Sequence, residues 1–150
     1  MYIRESELFK GVPEHIHAEI SEISTEEVLN EGHVLFKVGE PAEYLYILAE
    51  GLVELTVPGE QRLSFSVDEF GAVFGWSALV EPKQYTATAT CKKNSKVIRL
   101  DAERLMRLFT KHPAEGLHIM RRLAGIVAGR LMICYDELTK SEMHLPKTTY

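Results

Sequence analysis

The chain has 150 residues, of which 45% are hydrophobic and 26% are charged, a composition typical of one globular domain with its own core. Its formal net charge of −5, without any long run of Lys or Arg, argues against a nucleic-acid surface. Neither a signal peptide nor an apolar run long enough to cross a membrane is apparent, and Cys91 and Cys134 lack disulfide or zinc spacing, so we expect a cytoplasmic protein without a cofactor or metal.

Residues 8–24 form the first predicted element, a helix. Apolar side chains recur there at helical spacing, and Pro13 suits a first helical turn. His15 and His17, followed by Glu22, superficially match the spacing of a metal site. Because residues two apart diverge by about 200° around a helix, this spacing does not favour a shared metal ion.

From Glu26 to Leu100 the hydrophobic period changes to two, which predicts strands. Alternation is clearest over 52–57, 62–67 and 85–91. Glycines and prolines punctuate the region, mostly at intervals of about 8 to 12 residues, and no helix of crossover length intervenes. The sequence therefore predicts an antiparallel sandwich or barrel.

The segment 71–90 contains the most informative turn. Residues 72–74 predict a short strand, Gly75 permits a sharp turn, 77–80 form one helical turn, and a strand follows from Tyr85 to Thr90. The first turn of a helix leaves backbone N–H groups without partners. The turn from Gly75 to Ala78 is therefore suited to a phosphate or carboxylate.

Two helices are predicted after the strands. Asp101 is the expected N-cap of a short helix over 102–110, with Leu105, Leu108 and Phe109 facing inward. A longer helix starts near Pro113 and carries two apolar stripes. The first follows heptad spacing and comprises Leu117, Met120, Ala124, Val127, Leu131, Cys134 and Leu138; the second comprises Ile119, Leu123, Ile126 and Ile133. We expect one stripe to seat on the barrel and the heptad stripe to form a homodimer interface about a twofold axis.

This order of elements resembles the cyclic-nucleotide-binding domain of the catabolite activator and protein kinase A regulatory subunit families over residues 8–138. The run 32–55 carries the resemblance, with Gly32, Gly39 and Gly51 where that barrel turns, together with Phe74-Gly75-Trp76-Ser77-Ala78-Leu79 at the family's phosphate cassette. The resemblance implies a mainly β fold with flanking helices. The expected fold is an antiparallel double-stranded β-helix, or jelly-roll barrel, with an N-terminal helix, a short helix and a long C-terminal dimer helix.

The cassette departs from the family pattern at two positions. Trp76 stands where the family has a Glu that bonds the ribose, and Tyr85 stands where it has an Arg that pairs with the cyclic phosphate. Trp76 either stacks on a ligand or plugs the pocket, and Tyr85 either borders the ligand or is a core residue with a satisfied hydroxyl. The residues we expect around a ligand are Gly75, Trp76, Ser77, Ala78, Gln84, Tyr85 and Thr86, with Cys134 and Tyr135 of the long helix placed at the base by the resemblance.

The resemblance implies a regulatory module and not an enzyme. Such a module binds cyclic AMP, cyclic GMP or a related anionic ligand and signals through its C-terminal helices to an effector protein that the sequence does not name. We expect residues 1–138 to form a stand-alone domain and 139–150 to form a flexible tail. The alternative is a dimeric interaction scaffold that binds no ligand because Trp76 and Tyr85 occupy the pocket.

Overall fold

The computed structural model describes residues 2–140, without the side chain of Tyr2. Two helices come first, α1 (Tyr2–Glu5) and α2 (Glu14–Glu22). Eight strands follow: β1 (Ser24–Leu29), β2 (Val34–Phe36), β3 (Tyr44–Glu50), β4 (Val53–Val57), β5 (Leu63–Val67), β6 (Val73–Phe74), β7 (Thr88–Cys91) and β8 (Ser95–Asp101). A short 3₁₀-helix (Trp76–Leu79) lies between β6 and β7, and α3 (Ala102–Lys111) and α4 (Pro113–Lys140) come last.

The strands form two antiparallel sheets, with the orders β1-β8-β3-β6 and β2-β7-β4-β5. In the first sheet Ile47 pairs with Ile98, and in the second Leu55 lies between Phe65 and Ala89. Buried side chains from both sheets and from the helices belong to one hydrophobic cluster. The predicted jelly-roll fold with flanking helices and a long C-terminal helix is confirmed.

The predicted first helix is too long at its N-terminal end. The helix begins at Glu14 because Gly11 adopts a positive φ of 83° and Pro13 occupies the N-cap position, not the first turn. Before it, the Ser6 hydroxyl accepts a hydrogen bond from the Phe9 N–H at 3.1 Å and shapes a turn. Phe9 and Val12 are nevertheless buried, so the apolar period identified core residues but not the element that carries them.

The predicted strand from Tyr85 to Thr90 is displaced, since β7 begins only at Thr88 and ends at Cys91. The backbone of Tyr85 is held by the loop before β3 instead. Its N–H donates to the Glu40 carbonyl at 3.0 Å, and its carbonyl accepts from the Gly39 N–H at 2.8 Å. These bonds remove Tyr85 from the β7 ladder.

The prediction for α3 is confirmed. The Asp101 carboxylate accepts a hydrogen bond from the Arg104 N–H at 3.0 Å, as an N-cap does, and Leu105, Leu108 and Phe109 are buried. The helix therefore seats on the barrel through the face that its sequence predicts.

Helix α4 packs on the barrel through the second stripe, in which Ile119 and Leu123 are buried. The heptad stripe borders this buried face and does not oppose it. Met120 and Val127 pack partly against the protein's own core, whereas Leu117 is 62% exposed and Leu131 is 47% exposed. The helix continues through Lys140, two residues into the predicted flexible tail, and 141–150 lie outside the described residues.

Candidate functional site

A cavity of about 620 Å³ lies between the second sheet, the turn that follows β6, and α4. This volume falls in the range of small-molecule sites. On β4 the period-two alternation turns one row of apolar side chains toward the cavity, whereas both rows of β5 border it, with Ser64 and Ser66 between the apolar residues. The apolar lining residues on these two strands are Leu55, Val57, Phe65 and Val67.

The turn at Gly75 shapes the cavity floor. Gly75 has a left-handed φ of 76°, and a Cβ added there would lie 3.1 Å from the Tyr46 ring and 3.3 Å from the Tyr44 carbonyl oxygen. Any other residue would be strained at this φ and crowded by these two neighbours, so the position favours glycine. The 3₁₀-helix that starts at Trp76 brings Trp76 and Ser77 to the cavity, while Ala78 and Leu79 are buried in the core.

Trp76 is half-buried and lies beneath a cation from α4. The Arg130 guanidinium carbon is 4.6 Å from the centre of the Trp76 ring, which is a cation–π geometry. An Arg130 Nη2 is also 3.4 Å from a carboxylate oxygen of Glu7. Burial lowers the pKa of Arg130, and the Glu7 carboxylate opposes this shift, so the guanidinium remains charged.

Tyr85 lies at the cavity edge with its hydroxyl turned away. Its ring stacks on Phe36 with 3.7 Å between the ring centroids. The hydroxyl donates to the Tyr44 carbonyl at 2.7 Å and accepts from the Tyr44 N–H at 3.3 Å. Burial raises the pKa of Tyr85, so this hydroxyl stays neutral. Tyr85 is thus a core residue with a satisfied hydroxyl whose ring borders the cavity.

The structure brings most of the predicted ligand residues together around this cavity: Gly75, Trp76, Ser77, Tyr85, Thr86 and Cys134. Ala78, Gln84 and Tyr135 are not among its lining residues. Ala78 is buried, and Gln84 is exposed and pairs with Pro41 in an isolated antiparallel β-bridge. Tyr135 points about 100° away from Cys134 around the helix axis.

Sequence reasoning missed Arg130, Glu7 and the apolar wall. Arg130 precedes Cys134 by four residues on α4, so helical spacing places both on one face, and this signal was available. Nothing in the sequence pointed to Glu7, because its place depends on how the N-terminal segment crosses the β6 region. There the Glu7 N–H donates to the Gly71 carbonyl and the Glu7 carboxylate accepts from the Val73 N–H.

The pocket is not closed by its aromatic residues. Tyr85 packs on Phe36 and Trp76 packs under Arg130, yet the cavity remains open beside both. The scaffold alternative, which requires Trp76 and Tyr85 to occupy the pocket, is therefore not favoured.

Residues 2–140 contain neither a metal-binding cluster nor a membrane-spanning helix. No group of three or more His, Cys, Asp or Glu side chains in that part of the chain is arranged to hold a metal ion. No described helix has the length and apolar character to cross a membrane.

The model of the family described as "Cyclic nucleotide-binding domain" matches residues 26–112, more than half of the chain. The chain is 28% identical to glutaminase 1 of Bradyrhizobium diazoefficiens over 87% of its own length and 21% of that enzyme. It is 35% identical to the cAMP-dependent protein kinase regulatory subunit of Dictyostelium discoideum over 52% of its own length and 25% of that protein. It thus spans only about a fifth to a quarter of these curated relatives.

A solved structure shows the same relationship over nearly the whole of a comparable chain. It is the crystal structure of a putative cyclic nucleotide-binding protein from Geobacter metallireducens, which is 32% identical, with a TM-score of 0.76. The likeness covers 85% of this chain and 94% of that one. With the jelly roll, the cassette turn and the cavity beneath α4, these comparisons establish that the chain belongs to the cyclic nucleotide-binding domain family.

Proposed function

We propose that the protein is a sensor that binds cyclic AMP, cyclic GMP or a related anionic ligand in the cavity, and that α3 and α4 transmit its occupancy to an effector protein. The observation that carries the proposal is the cavity itself, which lies between the family's cassette turn and α4. The apolar wall of β4 and β5 suits a nucleobase, and the polar turn suits the phosphate.

The transmission step rests on direct contact between the cavity and α4. Val127, Arg130 and Cys134 of α4 line the cavity, so a ligand that touches them shifts the balance between positions of the helix. Helix α4 is in turn packed tightly on α3. A Cβ at Gly116 would lie 2.8 Å from the Phe109 Cβ, so a displacement of α4 at this point displaces α3 as well.

The same proposal assigns the chain a binding role and not a catalytic one. The reactive groups at the cavity are ordinary: burial raises the pKa of the Cys134 thiol, which disfavours a nucleophilic thiolate, and the Tyr85 hydroxyl is already bonded. The match to glutaminase 1 covers only about a fifth of that enzyme.

We further propose a homodimer through the outward side of α4. Leu117 and Met132 are large exposed apolar side chains there, and a Cβ at Gly125 or Gly129 would meet no described atom within 4 Å, so another helix can approach closely. Sedimentation should give twice the 17.0 kDa chain mass, and the pair L117E and M132E should reduce it. The exposed α3 residue Met106 supplies the control M106E, and a monomeric wild type would contradict the dimer.

Ligand binding is tested by thermal unfolding with and without cyclic AMP and cyclic GMP. A ligand at about a hundred times its dissociation constant stabilises the folded state by about 2.7 kcal/mol, which raises the melting temperature of a domain of this size by several degrees. We expect such a rise with at least one of the two nucleotides. An unchanged melting temperature at millimolar concentrations of both would contradict cyclic nucleotides as the ligand.

A further inference from the structure

Acidic residues outnumber basic residues around the cavity. Carboxylates line it at Glu7, Asp68, Glu69 and Glu137, whereas Arg130 is the one basic residue among the described residues that line it. An anion that enters is repelled at most of the polar rim. Arg130 is therefore the place in this cavity where a negative charge is stabilised.

The cassette supplies no other cation. Tyr85 occupies the position where the family pattern has an Arg, and its hydroxyl is committed to the Tyr44 backbone. Lys83 is exposed and does not line the cavity. Its Nζ forms an ion pair with a Glu81 carboxylate oxygen at 3.9 Å. The basic residue that can pair with the anionic group of a ligand is consequently Arg130 on α4.

The Arg130 guanidinium is held in place but keeps an N–H donor without an acceptor. Its Nη1 is buried and has no hydrogen-bond partner among the described residues. A guanidinium has five N–H donors, and a buried donor without an acceptor is unfavourable. Trp76 supports the flat face of the group at 4.6 Å, so the guanidinium is oriented before any ligand arrives.

The Glu7 carboxylate is a weak resident partner for this group. The same Glu7 oxygen accepts from the Val73 N–H at 2.7 Å but lies 3.4 Å from Arg130. Glu7 is thus fixed mainly by the backbone at the start of β6 and just before it, where its own N–H donates to the Gly71 carbonyl. Its hold on Arg130 is loose enough for a second anion to share or replace it.

We propose that Arg130 is the anion anchor of this cavity, that it takes the part of the missing cassette arginine, and that Glu7 is the carboxylate with which the ligand competes. The inference rests on the proposed function in that it concerns the same cavity. Because the rim is acidic, the ligand it selects is a monoanion, such as a cyclic phosphodiester, in preference to a phosphate monoester with its second charge. Because Arg130 belongs to α4, the ligand's charge is bonded directly to the helix that transmits the signal.

The test is titration calorimetry of cyclic AMP, cyclic GMP and the aryl monoanion benzenesulfonate into wild type and three variants, with uncharged benzenesulfonamide as the neutral probe. R130Q should weaken anion binding about ten- to a hundredfold, the usual worth of a charge-assisted hydrogen bond. E7Q keeps an acceptor for the Val73 N–H and should tighten binding by up to about fivefold. R121Q, at an exposed site on the same helix, should leave binding unchanged.

The opposite signs of R130Q and E7Q separate an anchor from a structural ion pair, since loss of a structural pair would weaken binding in both variants. If R130Q does not fold, R130K keeps the charge but not the planar fork and should give an intermediate loss. Cyclic nucleotide affinity that is equal in wild type and R130Q would overturn the anchor and leave the proposed function standing. Binding of benzenesulfonate that depends on Arg130, without binding of cyclic nucleotides, would support the anchor and overturn cyclic nucleotides as the ligand. Absence of binding by every anion would overturn both the anchor and the proposed function.

Discussion

Replacement of Gly51 by Ala should destabilise the protein by about 2 to 5 kcal/mol. Gly51 lies between β3 and β4, where the chain passes from one sheet to the other, and its φ is 107°. A Cβ there would lie 2.2 Å from the Ser95 Oγ and 2.7 Å from the Ser95 Cα, and backbone cannot move aside as a side chain does. The expected loss adds about 1 to 2 kcal/mol for the left-handed backbone to about 1 to 3 kcal/mol for overpacking.

The clash of an added Cβ with Ser95 cannot be relieved without loss of other interactions. Ser95 is buried, and its hydroxyl accepts from the Leu52 N–H at 3.1 Å and donates to the Lys93 carbonyl at 2.9 Å. Displacement of Ser95 would disturb both bonds and the start of β8. Because β4 begins two residues after Gly51 and supplies the cavity wall, the variant should also loosen the ligand site.

The matched control is G32A, since Gly32 also has a positive φ, of 89°, but a Cβ there would meet nothing within 4 Å. The control should lose only the backbone share of about 1 to 2 kcal/mol. Urea unfolding of the two variants beside wild type measures the difference. Equal losses in G51A and G32A would show that the close approach to Ser95 does not exist in solution.

Replacement of Tyr85 by Ala should cost about 3 to 5 kcal/mol, the usual loss for removal of a buried aromatic ring. The ring is only 5% exposed and stacks on Phe36, which itself packs near Tyr46 and Phe74. Removal of the ring would open the barrel beside the cassette turn. The expected result is a lower urea midpoint and a lower melting temperature.

The variant Y85F isolates the hydroxyl. It should cost about 1 to 3 kcal/mol, because the Tyr44 carbonyl and N–H each lose a partner in a part-buried position. Affinity for cyclic nucleotide should be the same in Y85F as in wild type, since the hydroxyl faces the Tyr44 backbone. A large loss of affinity in a stably folded Y85F would mean that the hydroxyl contacts the ligand after all.

Much of the fold is readable from the sequence because its signals are local. The alternation of Leu55 with its neighbours, the glycines at the barrel turns and the Asp101 cap each depend on a few adjacent residues. The N-terminal helix was predicted too long because its apolar period continues through a local break, and β7 was misplaced because a distant segment binds the start of the predicted strand. Gly11 breaks the first, and the loop that binds Tyr85 shortens the second.

The candidate site likewise has a part that consecutive residues define and a part that only the fold brings together. The turn from Gly75 to Ser77 was predictable because its chemistry lies in consecutive residues. The meeting of Glu7, Trp76 and Arg130 was not, because these residues come from three separate elements and their contact depends on the docking of α4. The direction of the Tyr85 hydroxyl likewise depends on a backbone partner 41 positions away in the chain.

The most direct measurement of the central claim is a titration followed by the fluorescence of Trp76. Trp76 is the only tryptophan of the chain and lines the cavity beneath Arg130, so its emission reports on this site alone. Cyclic AMP or cyclic GMP should change the emission to a saturating limit, while the corresponding uncharged nucleoside should have a much smaller effect at the same concentration. A flat response to both cyclic nucleotides would contradict the claim that this cavity binds a cyclic nucleotide, and a response no different from that of the nucleosides would contradict recognition of the anionic group.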